Sequence, residues 1–160
     1  MTQSTPSPER SLTEWDQRFI ELAFLEAKKS ADTGGLPIGA VLARGDKLLS
    51  SGHNQRVQQG DPIAHGEMDA LRKAGRQSTY RDTTLYTSLS PCMMCAGTIV
   101  QFNIPRVIIN DTENFGGNEK FLRDRGVTVI DIAHQDSILQ MRNFIAENAE
   151  LWREDIADEA

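Results

Sequence analysis

The residues best suited to chemistry in this chain are a histidine, a glutamate and two cysteines in two short motifs. The first motif is His65-Gly66-Glu67, and the second is Pro91-Cys92-Met93-Met94-Cys95. Zinc binds imidazole nitrogen and thiolate sulfur in a tetrahedral shell, and a site with three protein ligands leaves its fourth position to water. Such water ionises near neutral pH and becomes a nucleophile. We therefore predict one Zn²⁺ per chain, held by His65, Cys92 and Cys95.

Glu67 lies close to the predicted metal ligands without being needed as one of them, so it is free to carry protons. His-x-Glu followed by Pro-Cys-x-x-Cys, with a glutamate that is not a ligand as general acid and base, is the signature of zinc-dependent nucleobase deaminases. The sequence matches this signature without a gap or a substitution. It therefore predicts hydrolytic deamination with Glu67 as the catalytic residue.

Other interpretations of the same residues involve no hydrolysis. Cys-x-x-Cys pairs also occur in thioredoxin-like redox proteins, and buried cysteines can be inert. Neither interpretation accounts for the proline before the pair or for the histidine and glutamate upstream. A purely structural zinc site needs a fourth strong ligand, and none stands near either motif. The two remaining histidines, His53 and His134, are expected to be solvated or hydrogen-bonded.

Composition and charge narrow the classes of substrate. Of the 160 residues, 39% are hydrophobic and 25% are charged, which is ordinary for a soluble globular protein. The net charge of -6 disfavours nucleic acid as a partner, because affinity for phosphates depends on clustered Lys and Arg. No segment is apolar enough to span a membrane, and two cysteines without a disulfide framework fit a reducing compartment. We expect a small uncharged substrate, no membrane partner and a cytoplasmic location.

The surrounding sequence predicts alternating helices and strands that position the motifs. Residues 1–10 are expected to be a disordered lead, and residues 11–160 a single domain. The capping box Ser11-Leu-Thr-Glu14 predicts a helix that runs to about Lys29. Alternation of the later elements predicts a partly parallel sheet. These elements are a hairpin (38–43 and 47–51), a helix (64–74), a strand (84–87), a helix entered through Pro91, strands 106–110 and 127–132 flanking a short helix (119–124), a helix (137–148) and a last segment (151–157).

Beyond the zinc motifs, the sequence resembles the cytidine deaminase superfamily and, within it, the fungal type of cytosine deaminase. The matching segments are Pro37-Ile-Gly39, Gly52-His-Asn54, His65-Gly-Glu67, Asp82-Thr-Thr-Leu-Tyr-Thr87, Leu89-Ser-Pro-Cys92, Ile104-Pro-Arg106, and Trp152 with Glu154-Asp155-Ile156. The resemblance implies a three-layer α/β/α sandwich around a five-stranded mixed sheet, and a homodimer. It also implies deamination of free cytosine to uracil and ammonia, a step of pyrimidine salvage.

The resemblance further implies a set of substrate-binding residues. The side chain of Asn54 and the backbone N–H of Gly66 would bind the amide edge and the carbonyl of the pyrimidine. The backbone carbonyl of Ser90 and the carboxylate of Asp155 would accept the amino group or the leaving ammonia. Apolar side chains would enclose the ring, and these are Phe115, Trp152 and Ile38.

The sequence departs from the fungal pattern near the expected pocket. Met93 stands where the pattern has an acidic residue, and Arg153 where it has an aromatic one. The loop Gly116-Gly117-Asn118 is shorter and less basic, and Asp61-Pro62-Ile63-Ala64 also differs. The C-terminal segment 149–160, which is expected to close the active site, should therefore fit the pocket differently.

Several alternative functions stay open at this point. The substrate could be another small amino-heterocycle, such as isocytosine, 5-methylcytosine or guanine. A deaminase of tRNA or another nucleic acid should carry a basic C-terminal stripe, whereas this C-terminus is acidic. A zinc-binding module without catalysis would have no use for Glu67.

Overall fold

The computed structural model describes residues 12–158, so the predicted lead and Ser11 lie outside the described residues. Its strands and helices alternate along most of the chain, as predicted. In chain order they are α1 (Glu14–Asp32), β1 (Gly39–Arg44), β2 (Lys47–His53), α2 (Arg56–Gln59), α3 (Gly66–Ala74), β3 (Thr84–Thr87), α4 (Met93–Gln101), β4 (Arg106–Ile109), α5 (Glu119–Asp124), β5 (Thr128–Asp131), α6 (Gln135–Glu147) and α7 (Ala149–Asp155). Of the helices in residues 12–158, none is long and apolar enough to cross a membrane.

The five strands form one mixed sheet in the order β2-β1-β3-β4-β5. The β1 strand pairs antiparallel with both β2 and β3, whereas β3, β4 and β5 run parallel. The hairpin between β1 and β2 turns at Gly45, whose φ of 59° is in the left-handed region that glycine adopts without strain. The predicted five-stranded mixed sheet is therefore confirmed.

Helices cover both faces of the sheet, because alternate strand residues point to opposite sides and are apolar on both. On one face the α1 residues Phe19, Ile20 and Ala23 pack against Val41, Ala43, Tyr86, Ile108 and Ile130. On the other face Ala70, Ala96, Ile99 and Leu122 pack against Leu42, Leu85, Val107, Ile109 and Val129. This arrangement is the expected three-layer α/β/α sandwich.

Three helix starts differ from the sequence prediction. The N-cap of α1 is Thr13, whose Oγ1 accepts a hydrogen bond from the Asp16 N–H at 3.0 Å while Asp16 Oδ2 accepts one from the Thr13 N–H at 2.9 Å. The capping box is therefore Thr13 with Asp16, and the predicted one at Ser11 was wrong. The helices α3 and α4 were predicted to include His65 and Cys92. In the structure these two residues are the N-caps and lie just before the first turn.

The segment between β2 and α3, for which the sequence predicted no helix, contains the short helix α2, which begins at Arg56. Towards the C-terminus, α6 begins earlier than predicted, at Gln135, because the His134 side chain caps it by accepting a hydrogen bond from the Ser137 N–H. His134 Nε2 also lies 2.7 Å from a carboxylate oxygen of Glu21. His134 is thus a structural, hydrogen-bonded histidine, as expected.

A buried ion pair joins α1 to the start of β4. Asp16, which is only 3% exposed, accepts hydrogen bonds at 2.9 Å from both terminal nitrogens of Arg106 and another from the Tyr86 hydroxyl. Burial would raise the pKa of Asp16, but the hydrogen bonds from Arg106 and Tyr86 outweigh it and hold the pKa well below its usual range. The ionised carboxylate therefore stabilises the folded chain.

We expect Asp16→Asn to lower the free energy of unfolding at pH 7 by about 3–5 kcal/mol, because it leaves the Arg106 charge unpaired. The folded-state pKa of Asp16 lies below its unfolded-state value of about 3.9. The wild type therefore has its full advantage in free energy of unfolding above that pH, and the advantage shrinks as the pH falls further. Urea unfolding at pH 7, 4 and 3 measures it. Glu14→Gln removes an exposed ion pair with Arg18 and serves as the control, with an expected change below about 1 kcal/mol. Equal effects of the two variants would contradict the prediction.

Candidate metal centre and pocket

The three predicted metal ligands meet where β3 and β4 end and the helices α3 and α4 begin. His65 Nδ1 lies 3.5 Å from Cys92 Sγ and 3.8 Å from Cys95 Sγ, and the ligand atoms of all three residues lie within 4.8 Å of one another. Tetrahedral zinc, with bonds of about 2.3 Å to sulfur and 2.0 Å to nitrogen, needs donors roughly 3.5–3.8 Å apart. The donor set therefore fits zinc in both chemistry and spacing.

Hydrogen bonds within this cluster determine which sulfur is ionised. The Cys95 side chain, then His65 and the Cys95 backbone N–H, which donates to Cys92 Sγ at 3.5 Å, lower the pKa of Cys92 to about 4 against the effect of burial. Burial would lower the pKa of His65, but its bond to Cys92 and the charges of Asp155 and Glu67 raise it to about 9. Hydrogen bonding with the Cys92 side chain, and then burial, raise the pKa of the Cys95 thiol well above its usual value. Cys92 is therefore a thiolate at neutral pH, while zinc binding must displace protons from His65 and Cys95.

Glu67 is the second residue of α3 and points into the same cluster. Its carboxyl group is 3% exposed; Oε1 accepts a hydrogen bond from the Thr87 hydroxyl at 2.7 Å, and Oε2 one from the Cys95 thiol at 3.0 Å. Burial, and then the negative charge of Cys92, raise the pKa of Glu67 above its usual range. A held carboxyl group with a raised pKa is suited to accepting and donating protons beside the metal ligands.

A small pocket opens directly onto this cluster. Its lining consists of Ile38, His65, Glu67, Leu89, Ser90, Cys92, Phe115, Asp155 and Ile156. Four of the residues predicted to bind substrate, namely Ile38, Ser90, Phe115 and Asp155, thus line one pocket with His65, Cys92 and Glu67. The other three, Asn54, Gly66 and Trp152, are not part of this lining. Apolar walls with a few polar groups are the usual composition of a site for a small planar ligand.

Asn54 is fully buried and joined to the C-terminal helix. Its Nδ2 donates a hydrogen bond to Asp155 Oδ1 at 3.0 Å, and Asp155 Oδ1 lies 3.8 Å from His65 Nε2. Burial raises the pKa of Asp155, although the charge of His65 and the hydrogen bond from Asn54 oppose this. The structure therefore places Asn54 and Asp155 side by side at the metal cluster.

The two predicted aromatic residues contact each other. Phe115 lines the pocket, and Trp152, which is 8% exposed, meets it edge-on with the ring centroids 6.0 Å apart. Trp152 also belongs to an apolar cluster with Ile38 and Leu89, so it supports the pocket wall from behind. Gly66, the first residue of α3, is closely packed, because a Cβ atom there would lie 3.0 Å from the Ile38 carbonyl oxygen and would require the backbone to shift.

Comparison with known proteins agrees with this geometry. Residues 13–111 match the family described as the cytidine and deoxycytidylate deaminase zinc-binding region. The chain belongs to this deaminase family. This match confirms the resemblance to the cytidine deaminase superfamily. It also confirms the predictions that followed from it, namely a zinc cofactor, a cytidine deaminase-like fold and a hydrolase that acts on C–N bonds.

Individual relatives of this deaminase differ in what their names say they act on. Cytosine deaminase of Candida albicans is 44% identical over 146 residues, which cover 89% of this chain and 97% of the relative. The tRNA-specific adenosine deaminase of Buchnera aphidicola is 39% identical over 111 residues, which cover 68% of this chain and 70% of the relative. The solved structure of guanine deaminase from Nitrosomonas europaea covers 84% of this chain and 85% of that one, with a TM-score of 0.71 and 20% identity, so that likeness concerns the fold alone.

Sequence reasoning missed two apolar residues that line the pocket of this deaminase, Leu89 and Ile156. Both lie in segments that match the deaminase pattern, next to Ser90 and Asp155, so their position beside predicted pocket residues could have identified them. It also missed Glu119, whose carboxylate accepts hydrogen bonds from the Ser90 hydroxyl at 2.6 Å and the Gly117 N–H at 2.8 Å. Glu119 thereby ties the loop after Phe115 to the segment that leads into the metal ligands.

The departures from the fungal pattern lie mostly on the surface of this deaminase. Met93 is 55% exposed, and Arg153 is exposed as well. Neither residue lines the described pocket. The different residues at Gly116 and Gly117, in contrast, contact Glu119 and are therefore coupled to the pocket through Ser90.

Proposed function

We propose that this deaminase hydrolyses free cytosine to uracil and ammonia, as in pyrimidine salvage. The observation that carries the proposal is the 44% identity to a cytosine deaminase over 89% of this chain and 97% of that relative. The match to the tRNA-specific relative covers only 68% of this chain. The lining of the pocket by Asp155 and Ile156, from the C-terminal segment, also supports a substrate that this segment encloses.

In the proposed mechanism, His65, Cys92 and Cys95 would hold zinc, which would lower the pKa of a bound water molecule. Glu67 accepts a proton from the attacking water and delivers it to the ring nitrogen beside the amino-bearing carbon. Glu67 then takes the remaining hydroxyl proton and gives it to the exocyclic nitrogen. Ammonia leaves and uracil remains, so all atoms of cytosine and water are accounted for.

The remaining site residues bind and orient the base. Asn54 and the Gly66 N–H hold its amide edge and carbonyl, while the Ser90 carbonyl and the Asp155 carboxylate receive the amino group. The base lies between Ile38 and Phe115, with Trp152 behind Phe115. The described part of the C-terminal segment, residues 149–158, closes the site. The roles of Ile38, Ser90, Phe115 and Asp155 are supported by their shared pocket, and that of Asn54 by its hydrogen bond to Asp155. The roles of Gly66 and Trp152 rest on the resemblance to the cytosine deaminases.

The protein is further proposed to be a single-domain homodimer in the cytoplasm that does not act on nucleic acid. The homodimer is supported by the resemblance to the fungal type of cytosine deaminase. The acidic net charge of -6 supports the absence of nucleic acid as a partner. The two free cysteines support a reducing compartment.

Ammonia release from a panel of substrates tests the proposed function. The panel contains cytosine, isocytosine, 5-methylcytosine, guanine, cytidine and a tRNA. We expect cytosine to have the highest kcat/KM and cytidine and tRNA to release no measurable ammonia, because the C-terminal segment closes around the base alone. Preference for guanine would change the substrate and retain the reaction, whereas release from tRNA alone would overturn the proposal.

A further inference from the structure

Arg56 connects the segment after β2 to the C-terminal helix α7. Its Nη1 lies 3.4 Å from Glu154 Oε1, its Nε lies 3.9 Å from Asp155 Oδ1, and Nε also donates a hydrogen bond to the Pro62 carbonyl at 3.2 Å. The Arg56 side chain is only 10% exposed. One guanidinium group therefore spans two parts of the chain that are far apart in sequence.

The pairing between Arg56 and Asp155 involves two charges that are largely removed from water. The Asp155 side chain is 5% exposed, whereas that of Glu154 is 63% exposed. Removing one partner of a buried pair leaves the other charge uncompensated, which costs far more than breaking an exposed pair. Arg56 should therefore contribute chiefly through Asp155, with Glu154 as a minor partner.

The backbone of Arg56 takes part in the same contact. Its N–H donates a hydrogen bond to Asn54 Oδ1 at 3.0 Å, and Asn54 Nδ2 in turn donates to Asp155 Oδ1 at 3.0 Å. Residues 54–56 thus contact the end of α7 through both the Arg56 guanidinium group and the Asn54 side-chain amide. Since Asp155 also faces His65, this contact fixes α7 relative to the metal cluster.

The helix α7 depends on such tertiary contacts because it is short. It has seven residues, and isolated helices under about 12–15 residues are marginal in water. We propose that Arg56 is a positioning residue that latches α7, and with it Asp155 and Trp152, over the pocket. The inference rests on the proposed function for its substrate, whereas the latch itself can be measured without any substrate.

The test uses the full-length, zinc-loaded protein with Arg56→Gln. Amide hydrogen exchange across residues 149–155 should become about tenfold faster or more, since a loss of about 1.4 kcal/mol in closing corresponds to tenfold. KM for cytosine should rise by a similar factor while kcat changes less, because α7 carries residues that bind the base. Arg56→Lys should restore part of the protection and of the KM, because lysine retains the charge without the planar fork.

Matched variants separate a latch from a general loss of stability. Arg18→Gln removes an arginine from an exposed pair on α1 and should leave exchange in α7 and KM unchanged. Glu154→Gln alters a side chain that is 63% exposed and should accelerate exchange in α7 only a few-fold. Amides of β4 are the internal reference, and an equal acceleration there and in α7 would overturn the proposal.

The outcomes for the latch and for the proposed function are distinct. Unchanged exchange in α7 for Arg56→Gln would overturn the latch whatever the substrate is. Faster exchange in α7 with an unchanged KM for cytosine would overturn the positioning role. Faster exchange in α7 alone, together with no ammonia release from cytosine by the wild type, would support the latch and reject the proposed function.

Discussion

Replacing Glu67 with glutamine is expected to lower kcat for deamination by at least about 10²–10⁴-fold, because each proton transfer by a positioned group contributes about that factor. Glutamine has nearly the same size and can still accept the hydrogen bond from Thr87, but it cannot take up and release protons. Zinc content should stay near one ion per chain. Steady-state ammonia release and metal analysis of the same preparations measure both quantities.

Glu147→Gln is the matched control for this substitution. Glu147 is an exposed residue at the end of α6, so its amide variant should keep wild-type kcat and zinc. Retention of more than about a few per cent of kcat in Glu67→Gln would contradict a role that contributes at least about 10²-fold. Loss of zinc in that variant would instead assign Glu67 to holding the metal cluster.

The metal cluster could be predicted from sequence because its chemistry is local. Cys92 caps α4 and Cys95 lies in its first turn, while His65 caps α3 and Glu67 lies in its first turn, so each pair is positioned by the start of its own helix. What the spacing did not predict is that His65 and Cys92 are N-caps. As N-caps they stand at the positive ends of two helices, a position that favours thiolates and other anions.

The contacts that hold the pocket together could not be read from local patterns. Arg56 meets Glu154 across 98 positions of sequence, and Ser90 meets Glu119 across 29. Such pairs have no periodicity or motif, and their partners become neighbours only when the sheet brings the start of β1 and the ends of β2, β3 and β4 to one edge. The helix α2 was missed for a related reason, since its four residues include no buried apolar side chain and hence no hydrophobic period.

Replacing Cys95 with serine is expected to remove zinc and, with it, both activity and the part of the stability that depends on the metal. Serine is nearly isosteric, but its hydroxyl is not ionised by these surroundings and is a poor zinc ligand compared with a thiolate. A ligand present at 1,000 times its Kd stabilises the folded state by about 4.1 kcal/mol. At roughly 2–4 °C per kcal/mol for a domain of this size, Tm should fall by about 8–16 °C.

Thermal unfolding with and without a chelator distinguishes loss of zinc from loss of packing. The Tm of the wild type should fall when the chelator is added. The Tm of Cys95→Ser should already equal that of the chelator-treated wild type and should change little. Thr98→Ser, one turn further along α4, removes only a methyl group and should keep zinc, activity and the response to chelator. A Cys95→Ser protein that retained about one zinc per chain would show that the metal needs only His65 and Cys92. If Cys95→Ser had a lower Tm but its Tm still fell with chelator as much as that of the wild type, the loss of stability would come from altered packing and not from loss of zinc. Packing is sensitive there because Cys95 is fully buried beside Glu67.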